Sequence, residues 1–213
     1  MLITLGGTYG SGGKAMAAAL VRLLGWQICD DAVFSEAAKA YDSKLTEETL
    51  RYFDESEGKA PLRELRRLSG PLRKGYARAV RTLTYDVLPL DKEMDRLQRE
   101  VITSLAEKGN CIYLGRCADH YLADRKDVCS VFTVDTEENC LLRLQEAFPQ
   151  LSRKDAAQLK RKTDRRRSDY YRYFTGKAWG DMTSYGMVLN CSAVGGAAIA
   201  AELLAASAAS QAI

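Results

Sequence analysis

A glycine-rich stretch near the start of the chain carries the residue types that bind phosphate. It lies between residues 2–5, an apolar run typical of a strand, and residues 15–24, which favour a helix. Backbone N–H groups can turn toward an anion where glycine lacks a Cβ, and a helix N-terminus adds partial positive charge. Lys14 follows and could reach the outer phosphates. The stretch therefore predicts a phosphate-binding loop, with glycines at Gly6, Gly7, Gly10, Gly12 and Gly13.

This loop departs from the common pattern G-x-x-x-x-G-K-S/T in ways that affect metal binding. Thr8 stands where the first glycine belongs, and Ala15 follows the lysine, so no hydroxyl is present there to hold Mg²⁺. Ser11, Asp30 and Asp135 are the alternative candidates for a metal ligand. A plain strand-to-helix turn with a solvated lysine is the alternative, but the position between a strand and a helix favours phosphate binding.

Composition describes an ordinary globular protein. The chain has 213 residues, 46% of them hydrophobic, and a net charge of +3 that by itself does not indicate a nucleic-acid partner. We expect one domain over residues 1–213. No signal sequence or run of membrane-spanning length is present, so we expect a cytoplasmic protein with no membrane partner.

Cysteine and histidine chemistry is not indicated. The six cysteines are scattered without a C-x-x-C pair, and the chain has one histidine, His120. This pattern predicts buried free thiols in a reducing compartment rather than disulfides or zinc ligands. No serine or cysteine nucleophile has an evident histidine base.

Strand and helix patterns alternate along the chain. Strands are predicted near residues 2, 27, 111, 129 and 187, with helices between them and an alanine-rich helix at the end. This alternation predicts an α/β fold with a parallel sheet covered on both faces, and ligands outside the carboxyl ends of the strands. The glycine loop, Asp30, Asp31, Gly115-Arg116 and Asp135 all fall at those ends. Residues 32–90 show no strand pattern and predict a helical, basic insertion, with helices near 46–53, 62–68 and 74–85.

Residues 152–177 are strongly basic, with ten lysines and arginines against three aspartates and with tyrosines interleaved. Three interpretations compete: a solvated charged helix, a nucleic-acid-binding segment, and a lid that brings arginines to a phosphoryl group. The rest of the chain offers no matching basic stripe, which makes nucleic acid the weaker partner.

Seven short motifs are spread along the chain. They are Tyr9-Gly-Ser-Gly-Gly-Lys14, Cys29-Asp30-Asp31, Leu114-Gly-Arg116, Lys162-Thr-Asp-Arg-Arg-Arg167, Tyr170-Tyr171, Thr175-Gly-Lys-Ala-Trp-Gly-Asp181 and Tyr185-Gly-Met-Val-Leu-Asn190. In these motifs and in their order the chain resembles the cytidylate kinase-like proteins of the nucleoside monophosphate kinase group. The cluster D-x-x-R, Y-Y and W-G-D is the most specific part of the resemblance.

The resemblance implies a P-loop NTPase fold with a five-stranded parallel sheet. It implies transfer of the ATP γ-phosphoryl group to a nucleoside monophosphate, CMP or dCMP foremost, with ATP and Mg²⁺ bound. It also implies that residues 32–90 bind the acceptor and that residues 150–181 form an arginine-rich lid.

The resemblance also implies roles for particular residues. Lys14, Arg116, Asp164 and Arg167 would be catalytic. Asp30, Arg116 and Arg166 would bind the acceptor, and Ser11 or Asp30 would hold the metal. The ATP-binding residues would be Gly10, Ser11, Gly12, Gly13, Lys14, Ala15, Arg143 and Arg161.

Alternatives remain open at this point. One is a P-loop kinase acting on another small phosphate acceptor. A second is a nucleotide-binding regulator without catalysis, which the missing hydroxyl after Lys14 allows. A nucleic-acid module built on residues 153–177 is the third. The sequence leaves the oligomeric state, monomer or homodimer, open.

Overall fold

A computed structural model describes residues 1–41 and 90–211. The helices predicted near 46–53, 62–68 and 74–85, and so most of the predicted insertion, lie outside the described residues.

One parallel sheet of five strands forms the centre of the described structure. The strands stand in the order β2-β3-β1-β4-β5, so the first strand is the middle one. Its apolar residues Leu2 and Ile3 are fully buried, as expected for a parallel strand covered on both faces. The strands are β1 (Leu2–Gly7), β2 (Gln27–Cys29), β3 (Cys111–Leu114), β4 (Val128–Val134) and β5 (Met187–Asn190).

Helices connect these strands, as parallel pairing requires. A short 3-10 turn at Met182–Ser184 precedes β5. The helices are α1 (Gly13–Leu24), α2 (Asp31–Tyr41), α3 (Leu90–Glu107), α4 (Ala118–Tyr121), α5 (Glu137–Ala147), α6 (Arg153–Thr175) and α7 (Ala197–Gln211).

The helices divide between the two faces of the sheet. Ile3 and Val131 face a core closed by α1 and α7, whereas Leu2 and Tyr113 face a second core closed by α2, α3, α4 and α6. A smaller apolar cluster joins α5 to α6 and includes Tyr9 of the glycine loop. The loop is therefore held from beneath by the sheet and from one side by α5 and α6.

The basic segment forms one continuous helix, α6. Its N-terminus is capped by Ser152, whose side chain accepts the Asp155 N–H, and it ends at Gly176, which has φ 71°. Polar side chains on this helix contact the glycine loop, as described below.

The predicted α/β fold with its parallel sheet is confirmed, and the positions of β3, β4 and β5 agree with the prediction. All six cysteines are buried and none is in a disulfide, as the scattered spacing predicted. Within residues 1–41 and 90–211, no helix is both long and apolar enough to cross a membrane.

Candidate functional site

The phosphate loop (residues 8–15) begins with a tight turn behind β1. The Ser11 N–H donates to the Thr8 carbonyl over 3.0 Å, and Gly10, inside this turn, has φ 84°. Gly12 has φ 98° and precedes the first residue of α1. Both values lie in the left-handed region, which favours glycine.

Close packing also requires glycine in this loop. A Cβ on Gly10 would lie 2.7 Å from the Cys140 carbonyl oxygen, and one on Gly7 would lie 2.0 Å from Thr133 Oγ1. The loop backbone therefore rests directly on α5 and on the end of β4. Side chains at these two positions would push the loop out of place.

The start of α1 presents unused hydrogen-bond donors. The N-cap, Gly12, offers no side-chain cap, and within the described residues the amides of Gly13, Lys14 and Ala15 have no hydrogen-bond acceptor. Lys14 is exposed and has no ion pair or hydrogen bond among these residues. Aligned amides, the helix dipole and a lysine without a counter-charge among these residues together make a candidate anion site.

The hydroxyl of Ser11 faces the sheet. Ser11 is 2% exposed, and its Oγ lies 2.8 Å from Thr133 Oγ1. Thr133 Oγ1 also donates to the Gly6 carbonyl over 3.2 Å, so Ser11 acts as the donor toward Thr133. This pair braces the loop against β4.

A buried polar cluster holds the loop from the α5 side. Arg143 Nη1 lies 2.6 Å from Asp135 Oδ2 and donates to the Gly10 carbonyl over 2.9 Å. Burial would raise the pKa of Asp135, but hydrogen bonds from Ser192, Asn139 and Arg143 outweigh it and hold the pKa at about 2. Arg143 therefore contacts the phosphate loop, and its role at the nucleotide stays a prediction.

The thiols nearest the loop are protonated packing groups. The Cys191 Sγ would lie 3.3 Å from a Cβ on Gly12, and Cys140 packs against Gly10. Burial raises the pKa of both thiols. They are unsuited to act as nucleophiles or metal ligands.

Arg116 lies at the carboxyl end of β3, in the left-handed conformation with φ 55°. It is 4% exposed, its guanidinium contacts Asp31 Oδ1 over 2.8 Å, and it lies over the ring of Phe34 at 4.1 Å. Asp30 accepts the N–H groups of Ala32 and Val33 and so caps α2. Arg116 therefore lies beside α2, and the Asp30 side chain caps the N-terminus of that helix.

Helix α6 reaches the phosphate loop through two of its polar side chains. The Tyr9 N–H donates to Asp164 Oδ1 over 2.7 Å. Arg167 Nη1 donates to the Gly7 carbonyl over 3.1 Å, and its guanidinium lies over the Tyr9 ring at 5.3 Å. Arg166 is half-buried on this helix, whereas Arg161 is exposed.

The described residues do not assemble a magnesium site. Ser11 is paired with Thr133, Asp30 caps α2, and the Asp135 side chain is fully buried among its partners. Residues 1–41 and 90–211 contain no group of three or more His, Cys, Asp or Glu side chains that could hold a metal ion. Metal roles for Ser11 and Asp30 therefore stay predictions, and no catalytic step is assigned to a metal here.

Several residues of this site were not identified from the sequence. Thr133, Asn139 and Ser192 reach it only through tertiary contacts, as does Lys160, which lies 2.8 Å from Asp164. Thr133 and Ser192 lie at or just beyond the carboxyl ends of β4 and β5, where polar residues beside an apolar run are the signal that could have found them.

Solved structures with a similar fold include one that covers nearly the whole chain. An uncharacterized protein from Eubacterium ventriosum has a TM-score of 0.71 and 19% identity, with 99% of this chain and 98% of that chain covered. Shikimate kinase from Acinetobacter baumannii in complex with shikimate has a TM-score of 0.49 and 15% identity, with 98% and 93% covered. Of these two similarities, the first supports the fold.

Among curated proteins, none matches the chain. Residues 2–193 match the cytidylate kinase-like family, which is the family that the sequence motifs indicated. This match covers most of the chain, including the phosphate loop, Arg116 and all of α6. The protein belongs to the cytidylate kinase-like family and is a P-loop kinase.

Proposed function

We propose that this P-loop kinase transfers the γ-phosphoryl group of ATP to a nucleoside monophosphate, with CMP or dCMP as the foremost acceptor. The observation that carries the proposal is the anion site at the start of α1, with three amides that lack acceptors among the described residues and an exposed Lys14. The family match favours this acceptor class.

Catalysis in this proposal depends on positioning and on charge. ATP phosphates would lie against residues 10–15, with Lys14 at the outer phosphates. Asp164 and Arg167 already contact the loop, so α6 would close the phosphate site from the side without a large movement. These groups would orient the phosphoryl group, exclude water and offset charge that develops during transfer.

The acceptor would lie between the loop and Arg116. Arg116 presents its guanidinium at the carboxyl end of β3, next to β1 in the sheet. Its present partner, the Asp31 carboxylate, is half exposed, so an acceptor phosphate could replace it at the guanidinium. Arg166 on α6 is the second acceptor residue in this proposal.

We propose that Mg²⁺ would be held mainly by the phosphates of ATP. A magnesium ion commonly keeps several waters and takes substrate phosphates as ligands in kinase sites, so few protein ligands are needed. The six buried cysteines, none of them in a disulfide, fit a reducing compartment, and we propose a cytoplasmic location.

A nucleotide-binding regulator without catalysis is the second candidate. Its support is that Ala15 follows the lysine and that the Ser11 hydroxyl is turned away from the loop surface. The regulator would bind ATP at the same amides but would not transfer phosphate.

A coupled ADP-release assay over CMP, dCMP, UMP, AMP and GMP tests the proposal. ADP release that depends on CMP or dCMP supports it. ADP release with AMP or GMP alone would mean that the protein is a kinase with a different nucleotide acceptor. ATP binding by calorimetry with no release for any acceptor would favour the regulator.

A further inference from the structure

Lys160 occupies a special position among the basic residues of α6. Its Nζ lies 2.8 Å from Asp164 Oδ2 and 3.4 Å from Glu137 Oε2 on α5. Its side chain is only 12% exposed, whereas Lys154 on the same helix is exposed. A lysine that is largely removed from water and contacts two carboxylates differs from the solvated lysines expected on a charged helix.

The partner of Lys160 contacts the phosphate loop directly. Asp164 uses its second oxygen, Oδ1, to accept the Tyr9 N–H over 2.7 Å. Tyr9 also packs against the apolar cluster of Leu141, Leu144 and Ala156, which joins α5 to α6. Lys160, Asp164 and Tyr9 therefore form one chain of contacts from the α5–α6 junction to the loop.

A carboxylate in this position is unfavourable for a phosphate site unless its charge is offset. The amide of Tyr9 belongs to the loop whose following amides would receive the ATP phosphates, and Asp164 is 18% exposed, so water screens it poorly. Bound polyphosphate would repel an unpaired Asp164. An ammonium group at 2.8 Å removes most of that repulsion and leaves the carboxylate free to hold the Tyr9 amide.

We infer that Lys160 is a positioning residue of the phosphate site: it offsets the charge of Asp164, so that Asp164 can hold the loop at Tyr9 beside bound ATP, and it fixes α6 to α5 through Glu137. This inference rests on the proposed function, because it concerns the same ATP site. It assigns no contact between Lys160 and the substrate.

The surroundings of Lys160 favour its charged form. Burial alone would lower the pKa of Lys160, but the hydrogen bond to Asp164 and the neighbouring Glu137 outweigh it, and the pKa is raised above the ordinary value. The ammonium form is therefore present at neutral pH.

The experiment measures ATP binding by calorimetry, with Mg²⁺ and ATP as the probe, on a set of full-length variants. Lys160→Met removes the charge and Lys160→Gln removes it while keeping a polar group, which guards against a variant that does not fold. Lys160→Arg keeps the charge. Lys154→Met is the matched control, because Lys154 is an exposed lysine of the same helix.

The double variant Lys160→Met with Asp164→Asn separates charge from structure. We expect Lys160→Met and Lys160→Gln to raise the Kd for ATP by about 10- to 100-fold, as for the loss of one partner of a buried charge pair. Lys160→Arg and Lys154→Met should stay within about 3-fold of the wild type. The double variant should regain most of the lost affinity, because no unpaired carboxylate then faces the phosphates, and the deficit of Lys160→Met should shrink at high salt.

The outcomes divide clearly. An unchanged Kd in Lys160→Met and Lys160→Gln overturns the inference, even where their melting temperatures fall, because the ion pair is then only structural. A double variant that binds no better than Lys160→Met also overturns it. If the wild type does not bind ATP, the proposed function fails first and this inference fails with it, whereas a wild type that binds ATP confines the failure to Lys160.

Discussion

At the scale of single residues, two glycines with similar backbone conformations play different parts. Gly10 has φ 84° and Gly25, which ends α1, has φ 67°. A Cβ on Gly25 would meet nothing within 4 Å, whereas a Cβ on Gly10 would meet the Cys140 carbonyl at 2.7 Å. Backbone strain is common to both positions, and the clash is special to the phosphate loop.

We therefore expect Gly10→Ala to displace the loop and Gly25→Ala to leave it in place. Both substitutions should cost roughly 1–2 kcal/mol of folding free energy through the left-handed conformation. Only Gly10→Ala should also lose ATP binding and ADP release. Urea denaturation together with the ADP-release assay checks this, and equal loss of activity in both variants would contradict it.

Lys14 is a residue whose loss should affect activity and not stability. It is exposed and lacks a hydrogen-bond or ion-pair partner among residues 1–41 and 90–211, so its side chain contributes little to the fold. Lys14→Ala should lower kcat/KM by about 10²–10³-fold, as for the loss of one electrostatic contact to a transition state. The control is Arg22→Ala, an exposed cation in the last turn of the same helix. Wild-type kinetics in Lys14→Ala would remove the lysine from the site.

At the scale of elements, Asp135 links three of them. It follows β4, it pairs with Arg143 on α5, and it accepts from Ser192 after β5. Since Arg143 also donates to the Gly10 carbonyl, this cluster fixes α5 and the loop to the sheet edge. The sequence showed an aspartate at a strand end and suggested a metal ligand. Its partners make it a structural anchor, and the metal role stays a prediction.

The contacts of Asp135 should make the free energy of unfolding depend on pH in a defined direction. The folded-state pKa of Asp135 is about 2, below the ordinary value of 3.8. A depressed pKa contributes stability that is complete above the unfolded value and is lost as the pH falls through the folded value. The extra stability of the wild type over Asp135→Asn should therefore be largest above pH 4 and shrink toward pH 2.

Urea denaturation at several pH values between 2 and 6 measures this difference. Asp124→Asn is the control, because Asp124 is exposed and has no partner in the described part of the chain. Its difference from the wild type should not vary with pH in the same way. A difference for Asp135→Asn that stays constant across this range would show that the carboxylate is not held ionised by its neighbours.

The sequence predicted elements better than it predicted contacts. Apolar runs such as residues 111–114 and 128–134 define buried strands locally, because a parallel strand covered on both faces needs a continuous apolar run. Lys160 was only one of many basic residues in its segment. Its importance comes from Glu137 and from the contact between Asp164 and Tyr9, which is 155 positions distant, and such pairings depend on how α6 packs.

At the scale of the whole molecule, one edge of the sheet gathers the groups that the chain supplies from distant segments. β1 contributes the loop, β3 leads to Arg116, β4 and β5 lead to Asp135 and Ser192, and α6 crosses beside them. Separate apolar cores pack against the two faces of the sheet and hold the elements that carry these groups. The helical part of residues 150–181, for which the sequence predicts a lid, contacts Gly7 and Tyr9 through Arg167 and Asp164.

ATP bound at this edge of the sheet should stabilise the folded chain as a whole. A ligand at about 100 times its Kd adds about 2.7 kcal/mol to the folding free energy. A protein of this size gains roughly 2–4 °C in Tm for each kcal/mol, so saturating ATP with Mg²⁺ should raise Tm by about 5–10 °C. Lys14→Ala, at the same ATP concentration, should show a smaller rise because its affinity is lower, while its Tm without ATP should equal that of the wild type. An equal rise in both proteins would mean that ATP stabilises the chain at some other site, and the amides at the start of α1 would then lose their assigned role.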